Sequence, residues 1–392
     1  MGNVKPSQEY LAELRRRYRR ASKKERGAIL DEFVKTTRYH RKHANALLRG
    51  TRQHHRGPIR HPRAKIYGEE EQRAVRELAE LFDQINSKRL RVAMDNLLAT
   101  LRRQRHLRVS PECYARLQVI SPATMDRLRA GDRAREVHGR SLTKPGSLLK
   151  TQIPIRTFAD WSDAKPGFLE CDLVDHSGGN THGEFAFTLT VTDVCTGWTE
   201  LRAVRNKAQK HVLAALQTLQ RQWPGPWRGL DSDNGSEFIN ADLVAYCAQA
   251  RITFTRGRVG RKNDNCFVEQ KNWSVVRRLV GYARYDTPRQ VALLNRLYAC
   301  YGWYVNFFLP VMKLQEKRRE GSRTKRVYDA PQTPYARVLA SPDVPAKVKA
   351  HLRKLYAQLD VVKLKREIDD LVRQLLPTRH AGLDVDDASG WE

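Results

Sequence analysis

Residues 168–204 read FLECDLVDHSGGNTHGEFAFTLTVTDVCTGWTELRAV. Three runs rich in Val, Thr, Leu and Phe, at 168–174, 184–194 and 198–204, are separated by Gly178-Gly179 and Thr196-Gly197, residue types that turns favour. Connections this short predict antiparallel pairing of three strands. Downstream the apolar period changes. Helices are expected at 207–223, 237–250 and 267–280, with strands at 227–231 and 252–255 between them. Three strands followed by αβ, αβ and α predict an α/β domain, a mixed sheet flanked by helices.

Working outward, the 392-residue chain is longer than one ordinary domain. Its 72 Lys and Arg outnumber 43 Asp and Glu, a net charge of +29 that calls for a polyanionic partner, with nucleic acid the foremost. A hydrophobic share of 40%, with 7 Trp, 14 Tyr and 11 Phe, supplies enough bulky surface for folded cores and excludes wholesale disorder. The charge is uneven: net +20 over residues 1–150, −6 over 151–200 and +8 over 251–300. Carboxylates crowded beside a polyanion's binding surface repel it unless divalent cations lie between them. No apolar stretch is long enough to cross a bilayer or to form a signal-peptide core, so the expected location is cytoplasmic, at the nucleoid, with no membrane partner. Six cysteines without a Cys-x-x-Cys pair give neither a disulfide framework nor a zinc knuckle. His40, His43, His54 and His55 fit a basic helix and loop better than a metal site.

Residues 1–65 are read as a helix-turn-helix DNA-binding region. Ser22 and Glu25 have capping-box spacing, Ile29, Leu30, Phe33 and Val34 follow at helical intervals, and a second helix over 38–48 closes at Gly50. Arg38, Arg41 and Lys42 are its candidate DNA contacts. Residues 66–131 form a second all-α region of helix-turn-helix character: one long helical stretch over 69–105, then short helices opened by Ser110-Pro111 and Ser121-Pro122, with Arg127 and Arg129 as contacts. A basic linker is expected over 132–158, the catalytic core over 159–300, and an aromatic and basic extension over 301–341. A C-terminal amphipathic helix, able to pair protomers or pack on the core, is expected within 342–378, and a disordered acidic tail over 379–392.

Asp172 lies near the end of the first strand, Asp233 just past the fourth, and Glu269 in the first turn of the last helix, with 35 residues between it and Asp233. Sites in such sheets form beyond strand ends, where a helix can start across the same edge. Carboxylate oxygens are natural ligands for Mg²⁺ or Mn²⁺, and two ions would serve an in-line phosphoryl displacement without a covalent protein nucleophile. His176 is close enough in sequence to assist. Asp231 and Asp175 are competing acids nearby; Asp193 is read as a turn-capping acid and Asp264 as a loop-shaping one.

The segments Leu169-Glu170-Cys171-Asp172, Asp231-Ser232-Asp233-Asn234-Gly235-Ser236-Glu237-Phe238, and Lys262-Asn263-Asp264-Asn265-Cys266-Phe267-Val268-Glu269 with Gln270-Lys271-Asn272 resemble the three motifs of retroviral-integrase-type DDE transposases of bacterial insertion sequences. The resemblance covers about residues 155 to 310. It implies an RNase H-like core, Asp172, Asp233 and Glu269 as catalytic metal ligands, and a DNA-facing helix carrying Lys271, Asn272 and Arg277. A basic loop with Arg256, Arg258, Arg261 and Lys262 is expected to track phosphates. The expected activity is metal-dependent hydrolysis at the element's terminal inverted repeats and transfer of the freed 3′-hydroxyl into target DNA, by a homo-oligomer. The rivals are an RNase H-like nuclease that joins no strands and a catalytically silent, transposon-derived DNA-binding regulator.

Overall fold

The computed structural model describes residues 8–50, 66–130, 165–257, 266–320 and 323–375. The linker expected over 132–158, the tail over 379–392, His54, His55, Arg258, Arg261, Lys262 and Asp264 lie outside them. The chain divides into two units, Met1–Ile66 and Tyr67–Glu392.

In the first unit three helices, α1 (Gln8–Arg20), α2 (Lys23–Thr37) and α3 (Arg41–Arg49), enclose a small core of Leu14, Tyr18, Ile29, Leu30, Phe33, Ala44 and Leu48. The capping box is formed: Ser22 Oγ accepts the Glu25 amide, and Glu25 Oε2 accepts the Ser22 amide at 2.7 Å. Gly50 ends α3 at a φ of +73°, a left-handed geometry that glycine adopts without strain.

The second unit is built on a five-stranded mixed sheet of order β3-β2-β1-β4-β5, from β1 (Phe168–Asp175), β2 (Phe187–Asp193), β3 (Thr199–Val204), β4 (Gly229–Ser232) and β5 (Thr253–Arg256). The short turns give antiparallel β1·β2 and β2·β3 pairs, while crossovers through α8 (Gln209–Gln222) and α9 (Ala241–Gln249) make β1·β4 and β4·β5 parallel. The final helix of the core starts as α10 (Cys266–Lys271), widens to a π-helical turn over Asn272–Arg277, and ends as α11 (Arg278–Val280).

Four helices precede the sheet: α4 (Glu69–Leu81), α5 (Ser87–Arg103), α6 (Pro111–Val119) and α7 (Pro122–Leu128). The helical region expected over 69–105 consists of two helices, because Asp83 and Gln84 adopt φ values of +51° and +54° and turn the chain. Ser110 and Ser121 cap α6 and α7 with Pro at the first helical position. Leu78, Phe82, Leu90, Met94 and Leu101 join the same apolar core as the sheet.

Thr287 and Gln290 form a capping box that opens α12 (Pro288–Phe307), which runs unbroken past residue 300. Its aromatic end is core: Tyr301, Tyr304 and Phe307 are buried, and the Tyr304 hydroxyl donates to Leu81 O at 2.6 Å. The basic run that follows pairs on itself as β6 (Leu314–Glu320) and β7 (Arg323–Tyr328), followed by α13 (Pro334–Ala340). In place of one C-terminal amphipathic helix there are two, α14 (Ala346–Gln358) and α15 (Val361–Leu375). They break where the apolar stripe shifts, at Asp360, whose carboxylate accepts the Val362 and Lys363 amides. Val361, Leu364, Ile368, Leu371 and Leu375 pack α15 into the common core. No helix among the described residues is long and apolar enough to cross a membrane.

Candidate active site

The parallel register of β1 and β4 sets Glu170 opposite Asp231 and Cys171 opposite Ser232. One residue further on, the same register brings Asp233 alongside Asp172, on strands about 4.8 Å apart. α10 starts across this edge with Glu269 in its first turn. The electrostatics carry the same message. Burial, then the charge of Asp233, drives the Asp172 carboxyl up to about 8, with Glu269 adding to the rise against the amides that donate to it. Asp233 is likewise raised by burial, offset by its bond from Gly235 and by Lys207.

Each acid is held by its local sequence. Asp172 Oδ1 accepts its neighbour's amide, Leu173 N, at 2.8 Å, and Oδ2 accepts Asn272 Nδ2 at 2.6 Å. Asp233 Oδ1 accepts the Gly235 amide at 2.9 Å. A Cβ on Gly235 would stand 2.6 Å from Glu237 Cδ and 2.9 Å from Asp233 Oδ1, so a side chain here would push the Glu237 and Asp233 carboxylates aside. Asn234 ties that turn to β5, donating to Gly257 O at 2.8 Å and accepting from Arg256 Nη1 at 3.0 Å.

The competing acids are engaged elsewhere. Asp231 is fully buried and accepts the Thr255 hydroxyl. Asp175 is ion-paired with Arg277 at 2.8 Å. Asp193 Oδ1 accepts the Thr196 amide and hydroxyl, a turn-capping role, and Oδ2 accepts the Gly167 amide. His176 is buried within the core, its Nε2 2.7 Å from Thr188 Oγ1, which in turn meets the Tyr298 hydroxyl at 2.6 Å. Burial, with Arg277 nearby, pulls the imidazole down to about 3, so it stays neutral.

Several residues expected to face DNA turn inward. Arg256 is 7% exposed and braces Asn234. That burial corrects its reading as part of a phosphate-tracking loop. Arg277 combines its Asp175 ion pair with a stack 4.6 Å from the Tyr282 ring, which anchors it to the scaffold. Lys271 Nζ donates to Gly197 O at 3.3 Å; burial, with the charges of Arg89 and Arg337, lowers its ammonium to about 7. Asn272 reaches Asp172 directly. The π-helical turn beginning at Asn272 adds a residue to the helical circuit, a device common near functional sites. Arg129 donates to Ile85 O and Gln84 Oε1, closing the α4–α5 turn, while Arg127 is exposed and bonds back to Ala123 O and Thr124. In the first unit Arg38, Arg41 and Lys42 are exposed, with Arg41 paired to Asp31.

Glu170 was missed by sequence reasoning. It is completely buried, and Oε2 accepts both the Phe267 and Val268 amides at 2.9 Å, capping the start of the helix that carries Glu269. Burial drives its carboxyl up to about 8 against the pull of those amides. Strand parity was the available signal: Glu170 and Asp172 are two residues apart and share one face.

Among the described residues no three His, Cys, Asp or Glu side chains are gathered closely enough to hold a metal ion. The donor set of Asp172, Asp233 and Glu269 nevertheless fits a hard divalent cation: all are oxygen ligands, and the like charge that raises Asp172 is what a cation would offset.

A family model described as an integrase core domain matches residues 162–262, which span β1 through β5. The chain is also 41% identical over 322 residues to an uncharacterized protein, y4rM, of Sinorhizobium fredii (strain NBRC 101917 / NGR234), covering 82% of this chain and 91% of that one. The chain belongs to the integrase core family. The integrase core places it in the polynucleotidyl transferase superfamily, so its function is nucleic-acid processing of the transposase or integrase type. Integrase cores generally use divalent metals, in keeping with the oxygen-donor set.

Proposed function

We propose that the protein is a DNA transposase that cleaves a phosphodiester at the ends of a mobile element and directs the freed 3′-hydroxyl at target DNA. The observation that supports this reading is the parallel register of β1 and β4, which continued by one residue puts Asp233 beside Asp172, with Glu269 in the first turn of the helix whose start Glu170 caps. Asp172, Asp233 and Glu269 would hold Mg²⁺ or Mn²⁺, which when bound activates the attacking oxygen and stabilises the leaving one. Asn272 and the Leu173 amide orient Asp172, Gly235 orients Asp233, and Glu170 fixes the helix start beneath Glu269. The three-helix unit with exposed Arg38, Arg41 and Lys42 binds the terminal inverted repeats, and exposed Arg127 adds a backbone contact. Coordinated cutting of two ends calls for a homo-oligomer on DNA.

The test is a joining assay with labelled terminal repeats and Mg²⁺. Asp172→Asn, Asp233→Asn and Glu269→Gln should each abolish cleavage and joining while leaving end binding largely intact. Metal-dependent joining that survives any one substitution removes that residue from the centre, and cleavage of RNA–DNA hybrids without joining would favour a nuclease.

A further inference from the structure

We propose that the β6–β7 hairpin is a rigid arm that lies in the major groove of duplex DNA, a role that rests on the reading of the chain as a DNA-processing enzyme. From Lys313 to Tyr328 the sequence carries seven Lys or Arg against two Glu. Among the described residues the two strands pair only with each other, and Gln315, Glu316, Arg318, Arg319, Lys325 and Arg326 are all exposed. A two-stranded ribbon of this kind draws its stability from its anchorage and its ligands. Its register sets Arg318 directly opposite Lys325, so basic side chains crowd along the ribbon, a surface complementary to a polyanion.

The root of the arm, by contrast, is fixed. Lys313 N donates to Asp329 Oδ1 at 2.6 Å and Asp329 N to Lys313 O at 2.9 Å, while Arg337 pairs with Asp329 at 2.7 Å. Lys313 Nζ reaches Cys195 O at 2.8 Å, and Val311 and Gln332 exchange backbone bonds. The core thus holds the hairpin in one orientation while its length projects into solvent. Strands of six or seven residues reach roughly 20 Å, and two strands with side chains fit a groove about 12 Å wide. Val311, Met312 and Tyr328 at the root line a cleft of about 800 Å³ together with Gln270, Ser274 and Arg278, from the helix that begins at Cys266 and carries Glu269 in its first turn. DNA engaged at that helix has a continuous path to the arm.

The experiment uses the full chain carrying Asp172→Asn, to prevent cleavage, and a fluorescent duplex of about 30 base pairs, with and without Arg318→Gln, Lys325→Gln and Arg326→Gln together. Neutralising the arm should weaken binding about tenfold or more and make the log–log salt dependence shallower by about 2 to 3. Methylation at guanine N7 should interfere with binding by the unneutralised chain over one short stretch and lose that effect with the neutralised one. Unchanged affinity and salt dependence, or interference at adenine N3 alone, overturns the proposal. So does a change of oligomeric state without DNA, which would make an acidic face of a second copy the occupant. Joining is assayed separately on chains with Asp172 intact: binding that depends on the arm without any joining defeats the transposase reading alone, and joining that persists with affinity unaffected by neutralisation defeats the arm alone.

Discussion

Asp172→Asn should make the metal-free protein more stable while destroying its activity. In the folded chain burial and the Asp233 charge raise the Asp172 carboxyl to about 8, against about 3.9 for an exposed aspartate. Between those values the folded state binds the additional proton, so stability falls as pH rises from about 4 to about 8. At pH 7 about three pH units of that window have been crossed, at about 1.4 kcal/mol each, giving an upper limit of about 4 kcal/mol. Asp172 is only partly buried, and solvent screening lowers this to about 2 kcal/mol. Asparagine carries no such penalty. Nor does it orphan its neighbours: Leu173 N still finds an oxygen, and the buried, unpartnered Asn272 Oδ1 can turn to accept the new amide. Urea unfolding in chelator, followed through the buried Trp198, Trp223 and Trp227, reads the change. The variant should be about 2 kcal/mol more stable at pH 7 to 8, converge with the parent near pH 4, and lose the stabilisation that Mg²⁺ gives the parent. Parallel pH profiles, or a variant less stable than the parent at pH 8, would refute the reasoning.

Three further predictions concern the supports of the site. Glu170→Ala should lower the joining rate by about a hundredfold with DNA affinity unchanged, through loss of the helix start under Glu269, and Glu170→Gln, which keeps an acceptor, should restore most of it; equal loss in both would point to a different role. Gly235→Ala should displace the Asp233 carboxylate, cutting activity at least about tenfold for about 1 to 3 kcal/mol of stability, as read by paired joining and urea measurements. His176 stays neutral down to about pH 3 when folded but binds a proton near 6.5 when unfolded, so its share of stability, complete above 6.5, drains away as pH falls toward 3 at about 1.4 kcal/mol per unit. His176→Gln should flatten that acid slope in equilibrium unfolding; an unchanged slope would assign it to other groups.

The strands and the αβ crossovers were legible because alternation and turn residues are local signals, and β1 to β5 stand within a few residues of their expected places. Asp172, Asp233 and Glu269 could be nominated from sequence because the strands and the helix that carry them leave local signals, although β1 runs on past Asp172 to Asp175. What escaped depended on partners distant in sequence. Nothing in a helical stripe such as Val75 to Phe82 says whether it packs in its own domain, and here it shares the sheet's core. The basic run after Lys313 has no apolar alternation to mark strands, so its hairpin could not be foreseen. Burial of Arg256 follows from a bond to Asn234, 22 residues away, and Glu170 caps a helix 97 residues downstream.

The most direct measurement is anomalous scattering from crystals soaked in Mn²⁺. The account predicts density within about 2.0 to 2.2 Å of carboxylate oxygens from Asp172, Asp233 and Glu269, with two ions about 3.5 to 4 Å apart when DNA is bound. Manganese bound elsewhere, with these three acids uninvolved, would contradict it.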